Sequence, residues 1–172
     1  MKTLPTAITA DTTMREASAA DQHYLAECFV NISRFIKSQA SNVYIDGLPD
    51  AVDQRTLELA KSYLNTPDAI TFIVEKDQQP VACIAGRIES TSFGPSGVGE
   101  IGNIAICWVA ESYRAQHIGK ALVNQIESWF VDRGINTVEL SYFAQNAVAE
   151  KAWGKIGYTP FRVFSYKTLS KH

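Results

Sequence analysis

The residues from Val109 to Lys120 read VAESYRAQHIGK, and they place Arg114, Gly119 and Lys120 where an apolar strand pattern gives way to a helical one. The first N–H groups of a helix lack intrahelical partners, and with the helix dipole they form an anion site. Gly119 would let a ligand approach the backbone closely, and Arg114 and Lys120 would add positive charge. The chemistry this suits is the binding of a phosphate or pyrophosphate. It is not a Walker loop, because GxxxxGK[ST] is absent. His117 is either a further phosphate donor or a solvated loop side chain. The same stretch also suits a plain strand-to-helix turn with solvated charges. Glu100, which opens the strand leading into the turn, is either a candidate base or a solvated strand-end carboxylate. The cysteines Cys28, Cys83 and Cys107 are odd in number and far apart, without a CxxC pair. That argues against a disulfide framework and a zinc site, so no metal is expected, and it fits a reducing cytoplasm.

The elements that must position these residues follow from periodicity. Thr13–Ala17 reads as a strand. Asp21 suits an N-cap before a helix that places Leu25, Phe29, Ile32 and Ile36 at helical spacing. Ser41–Pro49 reads as a loop, and Asp50 as the cap of a second helix running to Pro67-Asp68. Ala69–Glu75 and Val81–Ile88 make a hairpin around the polar turn Lys76–Pro80. Ser90–Gly99 is a glycine-rich loop and Glu100–Val109 a long strand. Ile118–Arg133 is a helix with Leu122, Ile126, Trp129 and Phe130 on one stripe and Gly134 past its end. Thr137–Phe143 reads as a strand, Ala147–Ile156 as a helix and Phe161–Leu169 as a last strand. This order predicts an α/β layered domain with a mixed sheet.

Composition agrees. The chain has 172 residues, 46% hydrophobic and 20% charged, which fits a single globular domain over residues 13–172 behind a loose segment of residues 1–12. A net charge of −2 argues against nucleic-acid binding by bulk positive charge. No apolar run nears the ~18–20 residues of a membrane span, and the N-terminus lacks the apolar stretch of a signal peptide.

Tyr113-Arg114-Ala115-Gln116-His117-Ile118-Gly119-Lys120-Ala121-Leu122 resembles the YRGxGIGxxL signature of the GNAT superfamily of N-acetyltransferases, and Gln116, Gly119 and Ala121 meet its QxxGxA form. Asn146 to Tyr158, NAVAEKAWGKIGY, is similar to the family's NxxAxxxYxKxGF stretch. The resemblance implies a mixed, mostly antiparallel sheet with helices on both faces, its fourth and fifth strands splayed around acetyl-CoA. The backbone at Cys107, Trp108 and Val109 would hold the pantetheine arm and acetyl carbonyl. The N–H groups of Ala115, Gln116, His117, Ile118, Gly119 and Lys120 would hold the pyrophosphate. Asn146 would bond the pantetheine side, although its place before Ala147 also suits a helix N-cap. The implied activity is direct transfer of acetyl from the thioester to a primary amine, with a small-molecule amine as the leading acceptor. A protein lysine or N-terminus, or a non-catalytic acyl-CoA-binding module, are the alternatives. A homodimer is left open.

Three departures bear on mechanism. Ala115 and His117 stand where the family often has glycine, so a positive φ there would be strained. Trp153 stands where many members carry an acid tyrosine, and an indole has no useful acidity, so Trp153 is expected to pack beside the thioester. Asn103 occupies the position of a catalytic glutamate, and Ser141, next to Tyr142, that of another base. A lysine-like amine lies about 3.4 units above pH 7, or ~4.6 kcal/mol, whereas a thiolate is only ~2 kcal/mol from its thiol. The base is therefore the larger need. Asn103 is expected to position a water with Glu100 as proton sink, although residues three apart on a regular strand face opposite sides; Tyr142 is the next candidate. In this fold the acceptor would meet the segment holding Tyr44, Asp46, Asp50 and Asp53. An aromatic beside carboxylates suits a cationic amine, and helix capping is the competing role.

Overall fold

Alternation and helical periodicity resolve, in the computed structural model, into one sheet with helices against its two faces. Residues 6–9, 11–91, 93–94 and 97–169 are described. The chain divides into two compact units, Met1–Ser141 and Tyr142–His172.

Among the described residues the first unit holds six strands in the order β1 to β6: Thr6–Thr9, Thr12–Glu16, Ala69–Lys76, Gln79–Ser90, Glu100–Val109 and Val138–Leu140. Every neighbouring pair is antiparallel except β5–β6, which is parallel. The segment of residues 1–12 is thus not wholly loose: β1 pairs with β2, where the sequence offers no strand pattern, while residues 1–5 and 10 lie outside the described residues. The strands that the resemblance makes the fourth and fifth are β5 and β6 here.

Helices α1 (Gln22–Gln39) and α3 (Gln54–Lys61) pack together, and Leu25, Ala26, Cys28 and Ala60 share a core with Ile73, Cys83, Ala85 and Ile106 of the sheet. Helix α4 (Ile118–Val131) covers the other face with Leu122, Ile126 and Phe130, all fully buried. Burying each such side chain stabilises the fold by ~1.5–3 kcal/mol. Phe130 lies directly on sheet backbone: a Cβ at Gly102 would fall 2.6 Å from its ring. Gly134, at φ 80°, ends the helix in the left-handed conformation expected of it.

Several boundaries differ from the sequence reading. Asp50 does not cap the second helix. Asp53 does, accepting from the Thr56 N–H at 2.9 Å, while Asp50 pairs with Lys37 at 2.7 Å. The loop after α1 contains one helical turn, α2 (Val43–Asp46), because the Asn42 side chain accepts from the N–H groups of Tyr44 and Ile45. Asp21 begins α1, but its carboxylate turns to the Arg15 guanidinium at 2.8 Å rather than to helix N–H groups. Burial alone would raise the Asp21 pKa, but the bonds from Arg15 and Ser18 hold it below the usual carboxylate range.

In the second unit, α5 (Ala147–Lys155) starts at Asn146, whose Oδ1 accepts from the Ala149 N–H at 3.0 Å. Phe161–Leu169 forms no strand. Its alternation is broken by adjacent Val163 and Phe164, which are 81% and 76% exposed.

Candidate active site

The pairing of β5 creates the site. β6 meets β5 only through Gly102↔Val138, Asn103↔Glu139 and Ile104↔Leu140, while β5 runs on to Val109. The expected strand over Thr137–Phe143 is therefore three residues long, and Ser141 and Tyr142 lie past it. On the other side β4 stays paired throughout, with one irregularity: Ala85 faces Ile106 and Gly86 faces Ile104. Ala105 is the extra residue, exposed in a β-bulge. The bulge reverses the side-chain alternation. Ile104 faces α4, whereas Ile106 and Trp108 face α1.

Past Val109 the chain makes a 3-10 turn at Glu111–Tyr113 and enters α4 at Ile118. Arg114 folds back, its Nε donating to the Val109 carbonyl at 3.1 Å and its guanidinium 5.1 Å from the Trp108 ring. Ala115 and His117 both hold left-handed φ, 60° and 63°. The turn keeps a glycine-type shape without glycine. His117 is the N-cap of α4 yet makes no side-chain cap bond, so the first N–H groups are not capped by it. Arg114 to His117 and Lys120 are exposed, and Ile118 is buried beneath them. A Cβ on Gly119 would come no nearer than 3.9 Å to another group, the Val109 side chain. The helix start and the end of β5 therefore adjoin, and there is room over Gly119 for a ligand. This fits a pyrophosphate at the turn and an arm along the unpaired part of β5.

The sheet face toward α1 and α3 changes character at the Ser90 end of β4. After Ala85 come Arg87 and Glu89, and across from them Asn103. The Arg87 guanidinium stacks 4.0 Å from the Tyr63 ring and donates to Ser62 Oγ at 2.8 Å. Burial raises the Tyr63 phenol pKa, against the lowering effect of Arg87. The Asn103 Nδ2 donates to Glu89 Oε1. Glu139, level with Asn103 on β6, accepts from Thr91 Oγ1 at 2.8 Å.

Glu100 is not the carboxylate beside Asn103. It pairs with Ser90, is exposed and faces the α4 side. The bulge that could have brought the two together falls after both of them. The partner is Glu89, on the neighbouring strand. Its signal in the sequence is Arg87-Ile88-Glu89, where polar residues replace apolar ones on the core face of a strand; Glu139 carries no such signal. Tyr44 is 65% exposed on α2, and Asp46 beside it accepts from Ser41 Oγ at 2.9 Å. Tyr142 begins the second unit, half-buried in irregular backbone. In that unit Trp153 packs edge-to-face on Tyr158, ring centroids 5.3 Å apart. Cys107 is half-buried, and burial pushes its thiol up to about 12. Among the described residues no group of three metal-ligating side chains occurs, and no helix is long and apolar enough to cross a membrane.

The profile of the acetyltransferase (GNAT) family matches residues 37–158. No curated protein matches significantly in sequence. Among solved structures, a GCN5-related N-acetyltransferase from Ralstonia eutropha is similar over 91% of this chain and 98% of its own, at 19% identity and TM-score 0.70. Aminoglycoside N-acetyltransferase AAC(6')-Iy, solved with CoA, is similar over 95% and 99%, at 14% identity and TM-score 0.70. A predicted acetyltransferase from Clostridium acetobutylicum, solved with acetyl-CoA, is similar over 91% and 96%, at 14% identity and TM-score 0.70.

Proposed function

Because the chain belongs to the acetyltransferase (GNAT) family, we propose that it transfers acetyl from acetyl-CoA directly to a primary amine of a small molecule. The observation that carries this reading is the parting of β5 from β6 after Ile104, next to an open helix start at Ile118. Pantetheine would lie along β5 from Ala105 to Val109, bonded to backbone at Cys107 and Val109. The pyrophosphate would take the N–H groups from Ala115 to Lys120, with Arg114 released from the Val109 carbonyl to meet it. A strand N–H aimed at the thioester carbonyl would stabilise the oxyanion, worth ~3–4 kcal/mol in hydrolases. Asn146, Trp153 and Tyr142 enter this reading through the family resemblance alone. That AAC(6')-Iy was solved with a CoA–aminoglycoside bisubstrate analogue supports a small polar acceptor, and Tyr44 and Asp46 are its candidate contacts.

Titration with acetyl-CoA tests the reading. At ligand ~100 times Kd, linkage stabilises the folded state by ~2.7 kcal/mol, a rise in Tm of about 5–11 °C for a domain of this size. No shift and no calorimetric heat at saturating acetyl-CoA would remove it.

A further inference from the structure

The acceptor amine must lose a proton before it can attack, and Asn103 cannot take one. We infer that Glu89 is the general base of this acetyl transfer and that Asn103 is the residue that positions it, an inference that rests on the proposed function. Glu89 lies near the end of β4, half-buried on the face toward α1 and α3. It is held by the Asn103 amide, which fixes one carboxylate oxygen and leaves the other for a ligand. Asn103 precedes the Ala105 bulge by two residues, where β5 parts from β6. The Asn103 amide therefore ties the carboxylate to the stretch of β5 just before the gap that would receive the thioester. Its charged and titratable neighbours are few. Arg87, two residues earlier on the same face, turns its guanidinium to Tyr63 and Ser62. Glu139 is held by Thr91. The Tyr63 phenol stays protonated, since burial raises its pKa.

In the step itself Glu89 accepts one proton from the ammonium, directly or through one water. The neutral nitrogen forms a C–N bond to the thioester carbon, and the carbonyl electron pair moves onto oxygen. Collapse restores the carbonyl and breaks the C–S bond. The CoA thiolate leaves with that pair and takes the second nitrogen proton. Glu89 returns the first proton to solvent.

The test uses the full chain, acetyl-CoA and the fastest acceptor among spermidine, kanamycin, lysine and a lysine-containing peptide. Glu89→Gln is expected to lower kcat/KM at pH 7 by ~10²–10⁴-fold, with acetyl-CoA Kd and Tm unchanged. The loss should shrink as pH approaches the pKa of the amine, since free amine then forms without a base. Glu89→Asp should recover part of the rate, and Glu139→Gln should stay within tenfold of wild type. Asn103→Leu should lower kcat and leave acetyl-CoA affinity intact. Combined with Glu89→Gln it should add nothing, as expected of two residues acting as a unit. Turnover by wild type together with a Glu89→Gln change under threefold from pH 6 to 10 overturns the inference and leaves the proposed function standing. A larger loss in Glu139→Gln than in Glu89→Gln overturns it as well. Acetyl-CoA binding without wild-type turnover of any amine overturns both.

Discussion

Replacing Ala115 with glycine should make the protein more stable. The ordinary expectation is the reverse, because glycine widens the unfolded ensemble and weakens a fold by ~0.4–1 kcal/mol relative to alanine. Ala115 holds φ 60°, however, where an L residue's Cβ crowds the carbonyl that follows, a strain of ~1–2 kcal/mol. The difference is a gain between about 0 and 1.6 kcal/mol, centred near 0.8. At ~2–4 °C per kcal/mol that is a rise in Tm of about 2–3 °C. Ala115 is exposed, so the substitution removes no packing. His117→Gly should behave alike, at φ 63° and with no cap bond from its side chain. The two positions share one short turn, so the double variant should fall short of the sum. Differential scanning calorimetry of the ligand-free protein reads the effect. Ala121→Gly, inside α4, is the control and should lower stability by ~1 kcal/mol. If Ala115→Gly lowers Tm as Ala121→Gly does, the turn carries no strain and the argument fails.

Trp153→Phe should keep activity within tenfold of wild type, because the indole, packed edge-to-face on Tyr158, has no useful acidity; a thousandfold loss in kcat with acetyl-CoA affinity intact would contradict that. Burial that pushes Cys107 up to about 12 leaves ~10⁻⁴ of it as thiolate at pH 8, against about a quarter of an ordinary thiol. Iodoacetamide should then modify Cys107 in the native protein about a thousandfold slower than in the unfolded chain, as peptide mass mapping would read. Asp21 titrates below its unfolded value, so its contribution to stability is present above about pH 4 and lost as pH falls through the folded value. Arg15→Met should flatten the fall in stability below about pH 4, and an unchanged acid limb would refute the assignment.

The strands and helices with unbroken periodicity were legible. β5 and the start of α4 stand where alternation and the apolar stripe put them, because those side chains meet a core on a known side. The helix cap at Asp53 was missed because Asp50 carries the same chemistry three residues earlier, and only the Thr56 hydrogen bonds separate the two. The strand-to-helix turn before Gly119 was legible from the change of pattern between Val109 and Ile118. The Glu89–Asn103 pair was not, because it depends on register between two strands. A bulge at Ala105 can be placed only once the facing strand is known. The single turn of α2 and the short β6 depend on side-chain capping and on a partner strand, neither of which leaves a periodic trace.

Phe130 governs something beyond the core it fills. It lies twelve residues from Ile118, which at ~1.5 Å per residue is ~18 Å of helix axis. A helix is stiff over that length, so α4 behaves as a lever whose far arm carries the N–H groups proposed to hold the pyrophosphate. The ring rests on Gly102, where even one added methyl group would meet it at 2.6 Å. Lifting that end tips the other. A small side chain at Gly102 should therefore surface as weakened grip on phosphate at the opposite end of the helix, a core defect felt as a binding defect by groups it never touches.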